Sequence, residues 1–322
     1  MKTSRSKLYE KSFLIKRYLN LRTLISSIVF MIGIIMLNIM VNPRTIFYIN
    51  AIVLTAIPLA FLGLAELFVL LTGEVDISVG AGLTLANVIP VYAYLYLGID
   101  DFRFCLIHIA VGLALGFING ILVGLLRIKS FLATLATSFV WTGLALIVLN
   151  KPEGPVPEWF AKAFSRGIFG IPMTVIGLLL LISIWLLFRF HVISLHFYAV
   201  GSDPYASYIA GINVNLIKLY AFTLNGFMIG LSALFMTGII NSGDPRIGLP
   251  FMLSAILAAI LAGARFTGGT GDGIAVIAAA IGLTFMRNLL FSLGIPFYQQ
   301  DLAYSIIVLG LIAVVMYLRR MR

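Results

Sequence analysis

Residues 104–126 read FCLIHIAVGLALGFINGILVGLL, an apolar run bounded by Arg103 and Arg127. A helix needs about 20 such residues to cross a bilayer, and this run is long enough. Working outward from it, similar runs recur near 23–41, 46–72, 78–97, 130–149, 172–189, 217–240, 250–264, 273–293 and 302–318. The chain has 322 residues, 61% hydrophobic and only 11% charged, with a mean hydropathy of +1.09. Ten spans therefore leave short loops and no room for a sizeable soluble domain. The expected fold is all-α, a polytopic transmembrane helix bundle of about ten spans. Nine is the alternative, because 250–264 is too short for a straight crossing and is either tilted, extended by its neighbours or re-entrant. The expected layout is a basic cytoplasmic tail at 1–22, a transmembrane domain at 23–318 with a long loop at 190–216, and a cytoplasmic tail at 319–322.

The basic residues test this layout. Seven precede the first span, and alternation from a cytoplasmic amino terminus puts fifteen of the 22 Lys and Arg inside and six outside, with Arg287 within the ninth span. That asymmetry follows the positive-inside rule and predicts that both termini are cytoplasmic, although most of it comes from the tail. The first apolar run is too long for a signal peptide and lacks its small-residue end. The net charge of +10 does not point to nucleic acid, since the basic residues lie between apolar runs and not on one polar face. A single cysteine, Cys105, excludes an intrachain disulfide, and three scattered histidines form no metal-ligand spacing. No metal site, catalytic constellation or Gly-Lys-Ser/Thr phosphate loop is present, so the chain reads as a non-enzyme with no cofactor of its own.

Several features stand out from the apolar background. Gly112, Gly116, Gly120 and Gly124 recur every four residues on one helical face, which lets another helix approach closely, as a static packing surface or a moving one. Asn119 adjoins the stripe and is placed to hydrogen-bond across it. Thr72-Gly73-Glu74-Val75-Asp76-Ile77-Ser78-Val79-Gly80 sets two carboxylates against hydrophobic helices, a working region or a solvated turn; Ser78 is positioned to cap the third span. In the loop, Ser202 or Asp203 followed by Pro204 and ended by Gly211 describes a helix of about two turns that must dock on something to be stable. Asn87, Asn225, Arg287 and Asn288 are intramembrane polar groups suited to a pathway, the alternative being structural hydrogen bonds for each Asn and snorkelling outward for Arg287. Glu66 is expected to pair locally, and His108 to be a packed, hydrogen-bonded helix residue. The segment 151–160 reads as an external loop with an interfacial helix, or as a docking surface.

Residues 199–214 resemble the A-V-G-x-N-x-x-A-A-x-x-x-G-I-x-V signature of permease subunits of bacterial ABC importers for ribose, xylose and related monosaccharides. Gly73 to Gly80 resembles that family's G-I-D-L-S-V-G motif, and Gly263 to Gly271 its G-G-x-x-x-x-G-G-x-G segment. Weaker echoes lie at 117–120, 131–135 and 287–288 with Gln299-Gln300. The likeness extends over roughly 46–318. It implies a translocation subunit in the bacterial cytoplasmic (inner) membrane, partnered by a second permease subunit (a homo- or heterodimer), a cytoplasmic ABC ATPase that binds ATP and Mg, and an extracytoplasmic substrate-binding protein, with membrane lipid around it and no nucleic acid. It also implies that the 203–211 helix couples to the ATPase, through Gly201, Asp203, Pro204, Tyr205, Ala206, Tyr208 and Gly211. Asp76, Ser78, Asn87, Asn119, Asn225 and Asn288 are the candidates for the pathway or its gate.

The sequence departs from the family at Asp203, which stands where the family has Asn, and at Tyr205, Ser207 and Tyr208, which replace an acidic-then-basic pattern. Glu74 adds a charge, and 250–254 lacks an acidic residue often found there. Nucleoside or branched-chain amino-acid permeases share the implied architecture, and an ATP-independent secondary transporter is the competitor from another class. Reporter fusions after Arg166 and after Gly211 are expected to read outside and inside respectively; the reverse pattern would overturn the orientation.

Overall fold

The computed structural model describes residues 21–310 apart from Phe297, Asp301 and Val308. The expected tail at 1–22 as far as residue 20, the tail at 319–322, and the span at 302–318 beyond residue 310 lie outside the described residues. The helices are α1 (Leu21–Val41), α2 (Thr45–Leu71), α3 (Val79–Leu97), α4 (Arg103–Gly120, continued by a π-helical turn Ile121–Leu125), α5 (Ser130–Val148), α6 (Glu158–Arg166), α7 (Met173–Phe190), α8 (Val192–Ser202), α9 (Pro204–Ile209), α10 (Val214–Ile240), α11 (Phe251–Leu261) and α12 (Gly273–Ser292). Among the described residues there is no strand, only two isolated bridges. Among the described residues eight helices are long and apolar enough to cross a membrane, and α8 and α11 are shorter apolar helices. The all-α polytopic bundle is therefore the fold.

Burial separates an inner set from an outer one. α2 is 83% buried over its apolar window, whereas α1 is 11% buried, so α2 sits inside the bundle and α1 presents most of its apolar surface outward. Phe61, Phe68, Trp185, Phe197, Phe235 and Phe285 fill the main core between α2, α7, α8, α10 and α12. α2 and α10 run antiparallel. Ser232 Oγ donates to the Pro58 carbonyl (2.8 Å), and Val69 and Phe222 share a cluster further along.

The glycine stripe is a close helix contact. The α-carbons of α4 lie so near α10 that a β-carbon at Gly116 would fall 2.6 Å from Gly226 Cα and 2.7 Å from its nitrogen. Gly112 meets Gly226 and Gly230, Gly120 lies 2.9 Å by the same measure from the Leu219 carbonyl, and Gly124 lies 2.6 Å from that of Asn215. Both helices contribute glycine, so backbone packs on backbone, the closest approach two helices can make. Asn119 does not bridge this contact; it turns toward α3.

The short run at 250–264 crosses as a broken span. α10 ends at Ile240, its far end from α9, and Gly263 lies against Thr23 at the start of α1, on the α9 side. Between them, 241–250 is non-helical and only α11 is helix. Irregular backbone at membrane depth must find partners inside the protein, and here α3 supplies them. Thr84 Oγ1 accepts from Gly248 N (3.0 Å), Asn87 Oδ1 accepts from Asp244 N (2.8 Å), and Asn87 Nδ2 donates to the Ser242 carbonyl (3.1 Å). Glu153 and Gly243 exchange both backbone bonds at the end opposite α9.

The loop at 190–216 holds two helices and not only the expected short one. α8 forms because Phe197 and Val200 are fully buried in the core, a tertiary contact its sequence does not announce. Replacing Gly116 with Leu forces side-chain volume into a backbone contact and is expected to destabilise the bundle by about 1–3 kcal/mol or more. Thermal unfolding and the monodisperse fraction of the purified chain measure this; unchanged values would contradict the contact.

Candidate functional site

Three separated segments meet at the Leu71 end of α2. Gly269 N donates to the Leu71 carbonyl (3.1 Å), and Gly201, the penultimate residue of α8, lies directly on that bond. A β-carbon there would overlap the Leu71 oxygen and fall 2.5 Å from Gly269 N. One at Gly268 would fall 2.6 Å from Gly201 Cα and 2.8 Å from Gly73 N. The stretches 73–80, 199–214 and 263–271 are thus one structural junction. Tyr198 Oη donates to the Gly271 carbonyl (2.8 Å), and Arg189 pairs with Asp272 (2.9 Å), whose other oxygen caps α12.

α9 projects from this junction. Asp203 Oδ1 accepts from Tyr205 N and Ala206 N, both at 2.9 Å, with Pro204 in the first turn. Gly211, at φ +84°, closes the helix end, a conformation that costs glycine nothing. Ser207 turns inward, while Tyr205 and Tyr208 are 74% and 71% exposed. Ala206 is exposed too, and so is Ile209, which the sequence reading passed over and which extends the apolar surface.

The 72–78 connector between α2 and α3 is not a freely solvated turn: Thr72, Asp76 and Ser78 are buried and the residues between them half-buried. Its backbone is held by side chains: Ser130 Oγ accepts from Val75 N (3.3 Å), Thr134 Oγ1 from Ile77 N (3.1 Å) and Glu66 Oε1 from Asp76 N (3.3 Å). Glu74 pairs with Lys218 of α10. Ser78 stands at the N-cap of α3, yet its hydroxyl makes no cap; it donates to Asp76 Oδ1 (2.6 Å) and accepts from Asn119 Nδ2 (2.8 Å). A cap would use that oxygen as the acceptor of a backbone N–H, and here it accepts from Asn119 instead. Burial pushes the Asp76 carboxyl up to about 6, with hydrogen bonds from Ser78 and Asn119 acting against it.

Asp76, Ser78 and Asn119 therefore form one cluster with Glu66, and the register of α2 against α10 sets Asn225 at the depth of Glu66. Glu66 Oε2, Asp76 Oδ2, Asn119 Oδ1 and both polar atoms of the Asn225 side chain are buried without a hydrogen-bond partner among the described residues. An unpaired buried polar atom costs about 1–3 kcal/mol, so this layer is the least satisfied part of the interior. Asn87 belongs elsewhere. With His108 and Thr237 it forms a network at the broken span, in which Asn87 Nδ2 donates to Thr237 Oγ1 (2.7 Å) and His108 Nε2 lies 3.0 Å from the same oxygen. Asn288 is apart from both, lining a cavity on the half of the bundle away from α9. Thr134 falls within the weak family echo at 131–135, but the sequence carried no signal for Thr84 or Thr237, since a lone threonine in an apolar helix shows its partner only in three dimensions.

The family model described as "Branched-chain amino acid transport system / permease component" matches residues 48–317. The chain is 30% identical over 253 residues to the D-allose transport system permease protein of Escherichia coli, covering 77% of this chain and 76% of that one. It is 31% identical over 246 residues to the ribose import permease protein of Bacillus subtilis, covering 75% and 76%. It is also 31% identical over 257 residues to the autoinducer 2 import system permease protein of Yersinia enterocolitica, covering 79% and 71%. No solved structure gives a significant match.

Gly201→Ala is expected to push α8 off the Leu71–Gly269 bond and to destabilise the chain by about 1–3 kcal/mol. Gly143→Ala in α5, where a β-carbon meets open space, is expected to be neutral or slightly stabilising. Melting temperatures of the two variants side by side decide whether the junction is as tight as its geometry requires.

Proposed function

Because the chain belongs to the family of branched-chain amino acid transport system / permease components, we propose that it is the translocation subunit of an ATP-driven importer for a monosaccharide or related polar small molecule. The roles of its relatives, in import of ribose and autoinducer 2 and in transport of D-allose, support a sugar-like cargo over the amino acid named in the family description. The observation that carries the coupling role is α9, a short capped helix whose Tyr205, Tyr208 and Ile209 face outward together. Exposed aromatic surface on a rigid helix fits the groove of a partner.

In this reading ATP and Mg bind a separate ATPase, and a second permease subunit and an extracytoplasmic binding protein complete the assembly. The chain lies in the bacterial cytoplasmic membrane with α9 and both termini inside. ATPase movement reaches α9, passes through Asp203 to Gly201, and there bears on the end of α2 and the 263–271 loop. The unsatisfied layer of Glu66, Asp76, Asn119 and Asn225 lies just beyond, and it is the natural gate, because a rearrangement that pairs these atoms recovers their cost. On the opposite side the Glu153–Gly243 bridge ties the 151–157 loop to the broken span, a route from a docked binding protein to the pathway.

Replacing Tyr205 and Tyr208 together with Ala removes aromatic area worth about 2–4 kcal/mol if it is fully buried against the ATPase. The variant is expected to insert normally while ATPase co-purification and substrate-stimulated hydrolysis fall away. Retained ATPase binding and uptake would sink the coupling role, and uptake by the purified chain alone would establish a secondary transporter instead.

A further inference from the structure

Among the described residues, Asp101, Glu158, Asp272 and Glu74 each pair with an arginine or a lysine. Glu66 and Asp76 are both fully buried and pair with none. Lys218, the basic side chain tied to the same connector, is held by Glu74. Charge at this depth is costly and calls for a counter-charge. Each of the two carboxylates has one oxygen engaged: Glu66 Oε1 accepts from Asp76 N (3.3 Å), and Asp76 Oδ1 accepts from Ser78 N (2.8 Å) and Ser78 Oγ (2.6 Å). The second oxygen of each, Glu66 Oε2 and Asp76 Oδ2, is buried without a partner among the described residues.

Helix packing brings two asparagines to the same place. A β-carbon at Gly82 of α3 would fall 3.3 Å from Ile229 of α10 and 3.7 Å from Leu115 of α4, so these three helices meet there. One turn from that contact toward α9, on the same helix faces, stand Ser78, Asn225 and Asn119. Asn119 Nδ2 donates to Ser78 Oγ (2.8 Å), which fixes the register, and Asn119 Oδ1 is left buried and unpartnered. α2 closes the remaining side. Ser232 bonds the Pro58 carbonyl, and two turns further along both antiparallel helices Asn225 comes opposite Ala65 and Glu66. Asn225 is fully buried, and neither polar atom of its side chain has a partner.

Glu66 Oε2, Asp76 Oδ2, Asn119 Oδ1 and Asn225 Oδ1 are thus four unpartnered oxygens converging from α2, the connector, α4 and α10. Carboxylate and amide carbonyl oxygens are the ligands of hard cations such as Na⁺ and Ca²⁺, whereas transition metals favour imidazole and thiolate. Among the described residues no three His, Cys, Asp or Glu group as a metal site; here the two amide oxygens extend a pair of acids to four ligands. Ca²⁺ balances both carboxylates, and Na⁺ balances one with a proton kept on the other.

We propose that Glu66, Asp76, Asn119 and Asn225 form a binding site for one hard metal cation. The site stands on packing and charge alone and does not depend on the importer reading.

The test uses the purified full chain in nanodiscs of zwitterionic lipid, stripped with a chelator and kept in choline chloride. NaCl or CaCl₂ is then added at constant ionic strength, and the melting temperature and the bound radiolabelled ion are measured. One of the two ions is expected to bind at one per chain and to raise the melting temperature saturably, by about 5 °C at a hundredfold excess over Kd. Asn225→Ala removes no hydrogen bond seen among the described residues and is expected to weaken the affinity by at least the roughly tenfold that losing an outer-shell partner costs. Glu66→Gln keeps the shape and the acceptor for Asp76 N and is expected to abolish binding. Two variants are used so that a folding failure in one leaves the other to decide. No saturable binding of either ion to the unmodified chain would overturn the proposal and leave the layer to water and shared protons. Binding that both variants retain would overturn it too, by placing the ion on exposed carboxylates or lipid. No ATPase or cargo is present in this measurement, so its outcome is separate from that of the importer reading, which ATP-dependent uptake decides.

Discussion

Backbone amide and carbonyl groups at membrane depth have no water to fall back on, and the arrangement of this chain follows from how that demand is met where helix is interrupted. Eleven helical residues cannot span the bilayer, so the descent from Ile240 to Gly263 leaves 241–250 without an internal ladder. Asn87 and Thr84 of α3 provide the missing partners. α3 can do so only because it passes close by: a β-carbon at Gly80 would fall 2.5 Å from the Gly248 carbonyl. The 72–78 connector solves the same problem with Ser130, Thr134 and Glu66. Polar side chains that look like candidates for transport chemistry are therefore, in part, the structural cost of breaking helices inside a membrane.

Breaking the helix also creates the spaces that transport needs. Pro250 and Phe251 line a cavity of 490 Å³ on one side of the broken span, and Pro245, Gly248, Leu249 and Met252 line a second of 280 Å³ on the other. Discontinuous helices near the midplane are where transporters commonly place their substrate sites. The broken span is thus flanked by cavities on both sides.

Mechanical connection runs through backbone contact in place of side-chain contact. α4 packs on α10 through glycines on both helices, and α8 packs on the end of α2 at Gly201. Such contacts have no flexible side chain between them to absorb a displacement. The ion pairs Arg189–Asp272 and Lys218–Glu74 bracket the same region, tying α7 to α12 and the connector to α10.

The sequence by itself determined the all-α bundle, because the apolar length and the scarcity of charge in each run permit little else. It determined α9 as well, since Asp203, Pro204 and Gly211 act within one short segment, and the glycine stripe, whose spacing is a property of one helix. Tertiary structure decided everything that depends on a partner distant in the chain. Gly226 and Gly230 opposite the stripe, Ser78 accepting from Asn119 and not from its own helix, and Asn87 serving the broken span and not the Asp76 cluster are all of this kind. A side chain chooses among hydrogen-bond partners by proximity, and proximity between residues 87 and 244, or 201 and 71, exists only once the helices have packed.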